Sequence, residues 1–171
     1  MIDMFCWRIT KYNPQYRNIH DVYLKDEWTS YSDIGKIFDK KKFCVNEYLT
    51  IEEAYITAIL LFMDCVHTDD LRITDLEKNN TNFKKIFSEI SPHQVPIKNE
   101  QIINKEQLLI IIRLILREAM WCRLESAHMY VHFGYDYYMY IGASLACDST
   151  LQQIKQLGLF VEEYQSPYIM K

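Results

Sequence analysis

The chain has 171 residues, 49% of them apolar, and carries 19 Lys and Arg against 23 Asp and Glu for a net charge of −4. That length suits a single domain over residues 1–171 that buries about two thirds of its unfolded surface, and the 4 Gly and 4 Pro exclude collagen-like or low-complexity character. The acidic balance excludes a general grip on nucleic acid, which needs clustered Lys and Arg to release counterions.

The first element in chain order is a strand over residues 4–12, where Phe5, Trp7 and Ile9 share one face and Cys6, Arg8 and Thr10 the other. Asn13-Pro14 ends it, and a polar stretch dotted with aromatics runs to Ser30, long enough to be a functional loop. Ser32-Asp33 open a short helix to Phe38, which Gly35 weakens. Thr50 and Glu53 have capping-box spacing, and the following residues 54–66 are apolar nearly all round, as in a buried helix. Asp69-Asp70 break to a strand at 71–76. Residues 79–103 are rich in polar side chains and contain Pro92 and Pro96, which marks a candidate mobile insertion with at most one short helix, at 83–90.

Asn104 and Gln107 start a second buried helix reaching residue 120, with Arg113 and Arg117 on its wet stripe. A short strand follows at 121–125. Residues 129–133 and 137–141 are aromatic and β-branched runs separated by Gly134, Tyr135 and Asp136, as in a hairpin. Asp148 or Ser149 caps a last helix at 150–157, Gly158 occupies its C′ position, and residues 159–164 return as an edge strand blunted by Glu162 and Glu163. The pattern predicts an α+β fold, with a mainly antiparallel sheet and about four helices, two of them buried.

Cys6, Cys44, Cys65, Cys122 and Cys147 are odd in number and lack CxxC spacing. The expectation is five free thiols in a reducing cytoplasm. No export signal is visible at the N-terminus, and the greasiest stretch, 108–116, is too short to span a bilayer and contains Arg113.

Chemistry is sparse. His128 and His132 are four apart, but on a strand they stand about 13 Å apart, too far to share a metal ion. Neither a metal nor a cofactor is therefore expected. The adjacent acids Asp26-Glu27, Glu52-Glu53, Asp69-Asp70 and Glu162-Glu163 do not by themselves face one substrate, and Glu52-Glu53 suit the positive end of a helix. Nucleophile elbows, zincin motifs and glycine-rich phosphate loops are missing. The tyrosine cluster at 135–140 is half core by strand alternation.

Residues 7–14 (WRITKYNP), 26–30 (DEWTS), 33–36 (DIGK), 131–142 (VHFGYDYYMYIG) and 159–168 resemble a family of small bacterial proteins similar to the immunity proteins of polymorphic toxin and contact-dependent growth inhibition systems. The resemblance covers most of the chain outside 79–103. It implies a non-enzymatic, cytoplasmic protein that binds the C-terminal domain of its cognate toxin, a basic nuclease-like partner, without touching nucleic acid or membrane itself. An acidic, aromatic-rich surface suits such a cleft and speeds encounter. The candidate partner-binding residues are Tyr23, Asp26, Glu27 and Trp28, then Asp69 and Asp70, then Tyr135 and Asp136. The alternative is a small enzyme or nucleic-acid processing factor using His128, His132 and the tyrosine hairpin.

Overall fold

The computed structural model describes residues 3–91 and 96–169. In chain order it contains β1 (Phe5–Thr10), 3-10 turns at Pro14–Tyr16 and Tyr31–Asp33, the short strands β2 (Ile37–Phe38) and β3 (Lys41–Lys42), and α1 (Val45–Cys65). Then come β4 (Asp70–Lys78), α2 (Phe83–Ile90), β5 (Ile102–Asn104), α3 (Lys105–Leu116), β6 (Met120–Glu125), β7 (Met129–Phe133), β8 (Met139–Ala143), α4 (Asp148–Gln156) and β9 (Phe160–Glu163). The fold is α+β. Seven strands form one antiparallel sheet in the order β5-β4-β6-β7-β8-β1-β9, and β2 and β3 pair separately.

Strand alternation sorts the side chains. One face of the sheet carries Trp7, Ile9, Ile73, Leu124, Val131 and Ile141, all buried, and the helices cover it; Trp7 meets Phe62 of α1 at 5.2 Å between ring centres. The other face carries Arg8, Tyr140 and His132 in one register row and Cys6, Gly142 and Tyr130 in the next. It is also buried, under the loop after β1 and the tail after β9. A Cβ at Gly142 would collide with the ring of Tyr130, so the glycine is what lets that ring lie flat across the sheet.

Several expectations shift. Helix α1 begins a turn earlier than Thr50, because Glu47 reaches back to the Cys44 N–H at 3.2 Å and Tyr48 is already buried. Thr50 instead donates to the Asn46 carbonyl inside the helix. The expected helix from Ser32 to Phe38 shrinks to a single 3-10 turn capped by Ser30, since Gly35 takes a φ of 97° and turns the chain into β2. Helix α3 starts with the expected Asn104–Gln107 box but stops at Leu116, after which Glu118 has a left-handed φ of 58°. The first residue of α4 is Asp148, with Cys147 before it, and Gly158 holds its C′ position with a φ of 85°. Within 79–103 the expected short helix is α2, which packs against α3, and the strand β5 begins there and pairs with β4; residues 92–95, Pro92 included, lie outside the described residues.

Arg117 is not on a wet stripe. Its Nε and Nη2 each lie 2.8 Å from the carboxylate of Glu52, which is 2% exposed and also accepts from the Tyr48 hydroxyl at 2.7 Å. Glu52 thus clamps α1 to α3, a role that its neighbour-in-sequence pattern with Glu53 concealed. Removing one member of such a buried pair typically costs about 3–5 kcal/mol, because the other charge stays desolvated and unpartnered.

The five-thiol expectation fails at two positions. Cys65 ends α1, Cys147 precedes α4, and the antiparallel run of α1 across the sheet brings them together, Cα to Cα 6.0 Å, in a disulfide across 82 residues of sequence. Cys6, Cys44 and Cys122 remain free. Disulfides persist in oxidising compartments, so the thiol argument for the cytoplasm loses its premise. Among the described residues, no helix is long and apolar enough to cross a membrane.

Alkylation of unfolded, non-reduced protein followed by mass spectrometry is expected to label Cys6, Cys44 and Cys122 and to return Cys65 and Cys147 as one linked pair. Cys65→Ser is expected to lower the unfolding free energy of the oxidised protein by about 2–4 kcal/mol. Five labelled cysteines in protein prepared under air would remove the bridge.

Candidate functional site

The segment between β1 and α1 is not a loose loop. The Asn18 N–H donates to the Val22 carbonyl at 3.0 Å, the Leu24 N–H donates to the Tyr16 carbonyl at 3.0 Å, and Arg17 bridges Tyr23. The Asn18 side-chain oxygen accepts from the His20 and Val22 N–H groups at 2.9 and 3.1 Å. Residues 16–24 are therefore a miniature hairpin with Ile19 and His20 at its tip. Its base is bolted to the sheet by Arg8, whose side chain is 5% exposed and whose Nη1 and Nη2 lie 2.5 and 2.9 Å from the Asp21 carboxylate. The same guanidinium holds Glu162 of β9 at 3.0 and 3.1 Å, and Arg17 donates to the Tyr138 hydroxyl at 2.7 Å. Arg8 keeps the Asp21 carboxyl below the usual carboxylate range, so the clamp stays ionised at neutral pH.

The hairpin presents three apolar side chains beside His20 at its tip. Ile19 is 94% exposed, Leu24 66% and Val22 53%, on a backbone held by its own hydrogen bonds.

The sequence-expected site residues separate into three groups. Glu27 and Trp28 turn inward: Trp28 stacks on Phe43 at 4.5 Å and meets Tyr137 edge-on at 5.1 Å, half-buried against the core below the loop. Between them lies Lys11, its ammonium 4.2 Å from the ring centres of both Tyr12 and Trp28 and 3.6 Å from Glu27, with no hydrogen-bond partner. Tyr23 is half-buried against Tyr12 at 4.9 Å, and Asp26 alone of the four points to solvent. Asp136 and Tyr135 belong to the same end of the sheet, because the Tyr12 hydroxyl donates to the Asp136 carbonyl at 2.6 Å; Tyr135 is 89% exposed. Asp69 and Asp70 sit at the opposite end, where Asp69 faces Lys105 at 3.6 Å and Asp70 pairs with Asn104.

The turn at 134–138 also closes one wall of a cleft of about 440 Å³ between it, the end of α3 and the start of β6. Asp136 and Tyr137 both take left-handed φ values, 56° and 66°. The strain is held by the Tyr12 and Tyr55 hydroxyls, which donate to the carbonyls of Asp136 and Tyr137 at 2.6 Å each.

The histidines divide as well. His128 is exposed, whereas His132 is 2% exposed and lies between Ser166 (Nδ1 to Oγ, 2.8 Å) and Glu125 (Nε2 to Oε1, 3.3 Å). His132, then Arg123, holds the Glu125 carboxyl below its ordinary range, so it only accepts. In the tautomer with its proton on Nε2, facing Glu125, Nδ1 is left to accept from the Ser166 hydroxyl. That polarity is the relay of a base-activated serine. Yet Ser166 is 4% exposed and its Oγ also accepts from the Tyr168 N–H at 3.2 Å, which suits a clasp on the tail. Among the described residues no group of three potential metal ligands gathers.

Ile19, Glu125 and Ser166 belong to no sequence motif. Ile19, Val22 and Leu24 were legible as apolar residues stranded in a polar loop; Glu125 and Ser166 meet His132 only through the fold. Comparison of the chain with protein-family models, with curated proteins and with solved structures finds no match.

Burial between two rings pushes the Lys11 ammonium down from 10.5 to about 8, against the pull of Glu27. The folded chain then holds fewer protons than the unfolded one between those values, so this lysine's contribution to stability grows as pH climbs through that window. Urea melts of the native protein and Lys11→Met at about pH 7 and about pH 9.5 are expected to show the native protein gaining on the variant at the higher pH. A difference independent of pH would mean that Lys11 is not held in this way.

Proposed function

We propose that this chain is a binding protein that inhibits a partner, and that the partner is the toxic C-terminal domain of a cognate bacterial toxin. The observation that carries the binding role is the preorganised hairpin at 16–24: three apolar side chains at 94, 66 and 53% exposure on a backbone fixed by the Arg8–Asp21 clamp. Exposed apolar groups cost solubility and mark interaction sites, and holding them rigid removes ordering entropy from the binding step. Asp26 at the foot of the hairpin and the net charge of −4 suit a basic partner. The identity of that partner rests on the resemblance to immunity proteins. Cytoplasmic residence, which that role calls for, requires Cys65 and Cys147 to run reduced in the cell.

The test is survival of cells that express the toxin domain encoded beside this chain, with and without it. Ile19→Asp and Leu24→Asp leave buried contacts untouched and are expected to weaken binding of that domain by about tenfold or more each and to lose protection. Full protection and unchanged affinity in both folded variants would remove the hairpin from the interface.

The Ser166–His132–Glu125 relay favours a second reading, a small serine hydrolase. A fluorophosphonate probe is expected to leave Ser166 unlabelled, as a closed clasp requires. Labelling that disappears in both Ser166→Ala and His132→Gln would make the enzyme the better reading.

A further inference from the structure

We infer that the cleft beside the 134–138 turn is a socket for a lysine or arginine side chain projecting from the protein partner; this rests on the binding role proposed above and specifies the partner's chemistry. Its floor is apolar, formed by the buried side chains of Ile115, Leu116, Met120 and Phe133. Trp121 and Tyr135 stand in its walls. The Trp121 indole N–H is already committed to the Phe133 carbonyl at 2.7 Å, which fixes that ring and leaves the wall without a free donor there.

The rim is acidic. Glu77, Glu118 and Asp136 line the opening, are exposed, and form no ion pair among the described residues. The one cation in the lining, Lys78, is turned elsewhere: its ammonium donates to the Ile97 carbonyl at 3.0 Å and lies 4.9 Å from the centre of the Phe83 ring.

An apolar floor under three free carboxylates selects one kind of occupant. A purely apolar group leaves the rim charges unused, and an anion is repelled by them. A long basic side chain satisfies both layers, with its methylene stem on the floor and its charge at the rim beside aromatic faces. At about 440 Å³ the cleft lies within the range of sites that enclose small ligands. The Tyr12–Asp136 hydrogen bond ties its wall to the strand from which the hairpin at 16–24 departs, so a protein seated on the hairpin has this sheet end beside it.

The test uses single residues as probes, without any toxin domain: N-acetyl-arginine methylamide and N-acetyl-lysine methylamide, with N-acetyl-norleucine methylamide as the uncharged counterpart. The readout is the Trp121 indole N–H resonance, assigned with Trp121→Phe, with Trp7 and Trp28 as internal references. Both cationic probes are expected to shift it saturably and to bind at least about tenfold more tightly than the norleucine probe. Glu118→Gln combined with Asp136→Asn is expected to remove that preference while leaving the fold intact, since both side chains are exposed. Equal binding of the neutral probe, or no shift by either cation up to about 50 mM, overturns the socket. Neither outcome touches the survival assay, and Ile19→Asp is expected to leave probe binding unchanged, so the two readings fail separately.

Discussion

Tyr137 is held in the core from three sides, and the placement of the surrounding elements depends on it. Its hydroxyl lies 2.7 Å from both the Tyr48 hydroxyl and the Leu116 carbonyl, and its own carbonyl accepts from the Tyr55 hydroxyl at 2.6 Å. Tyr48 passes the network on to Glu52, and Glu52 to Arg117. One chain of polar contacts therefore joins the turn between β7 and β8 to α1 and to the end of α3, inside an otherwise apolar core. Buried polar groups tolerate no slippage, since an unpartnered one costs the full desolvation penalty. The apolar contacts supply most of the burial, and this network sets the register in which α1 and α3 lie on the sheet.

The other face of the sheet solves a different problem. Among the described residues no helix covers it, yet it is buried, and its centre is charged and aromatic instead of aliphatic. Arg8 is enclosed by Asp21 and Glu162, with Tyr164 4.3 Å from its guanidinium carbon. Arg123 meets Asp75 and Glu125 and donates to the Tyr168 carbonyl of the tail at 3.2 Å, and His132 meets Ser166 of the tail at 2.8 Å. These pairs allow a short hairpin and a short tail to act as a cover: each segment brings a specific partner for a buried group, where an apolar cover of that size has too little area to stay down. For the proposed binding role this means a hairpin whose backbone is already shaped, with Asn18 and Asp21 spent on the fold and Ile19, Val22 and Leu24 facing out.

The hairpin and the acidic cleft share a structural root in the residues that follow β1. Lys11 and Tyr12 reach the 134–138 turn through Tyr55 and Asp136, so the two surfaces stand side by side on one framework. A partner that contacts both meets an apolar tip and an anionic hollow on one framework, which favours a ligand combining apolar and basic surface over a uniformly charged one such as nucleic acid. In the proposed complex, electrostatic attraction to the acidic rim would act on the rate of encounter and the apolar tip on how long the complex lasts.

Local patterns in the sequence determined most of the elements. Alternation marked β1, β7 and β8, the Asn104–Gln107 box marked the start of α3, and Gly158 marked the end of α4, because each of these depends on neighbours within four residues. They also determined the α+β class, since hairpin-linked strands and long apolar helices segregate in that way. The tertiary structure alone decided the pairings between distant residues: Cys65 with Cys147, Glu52 with Arg117, Arg8 with Asp21, His132 with Ser166. Charged and thiol side chains read in isolation look like solvent-facing or idle groups, and only the path of the chain shows which are buried with a counterpart. Exposure followed the same rule: Trp28, a candidate interface residue, packs half-buried against Phe43, Tyr48 and Tyr137, while Ile19 stands in water, because hydrophobicity sets a side chain's preference and the closed fold decides how many of those preferences can be met.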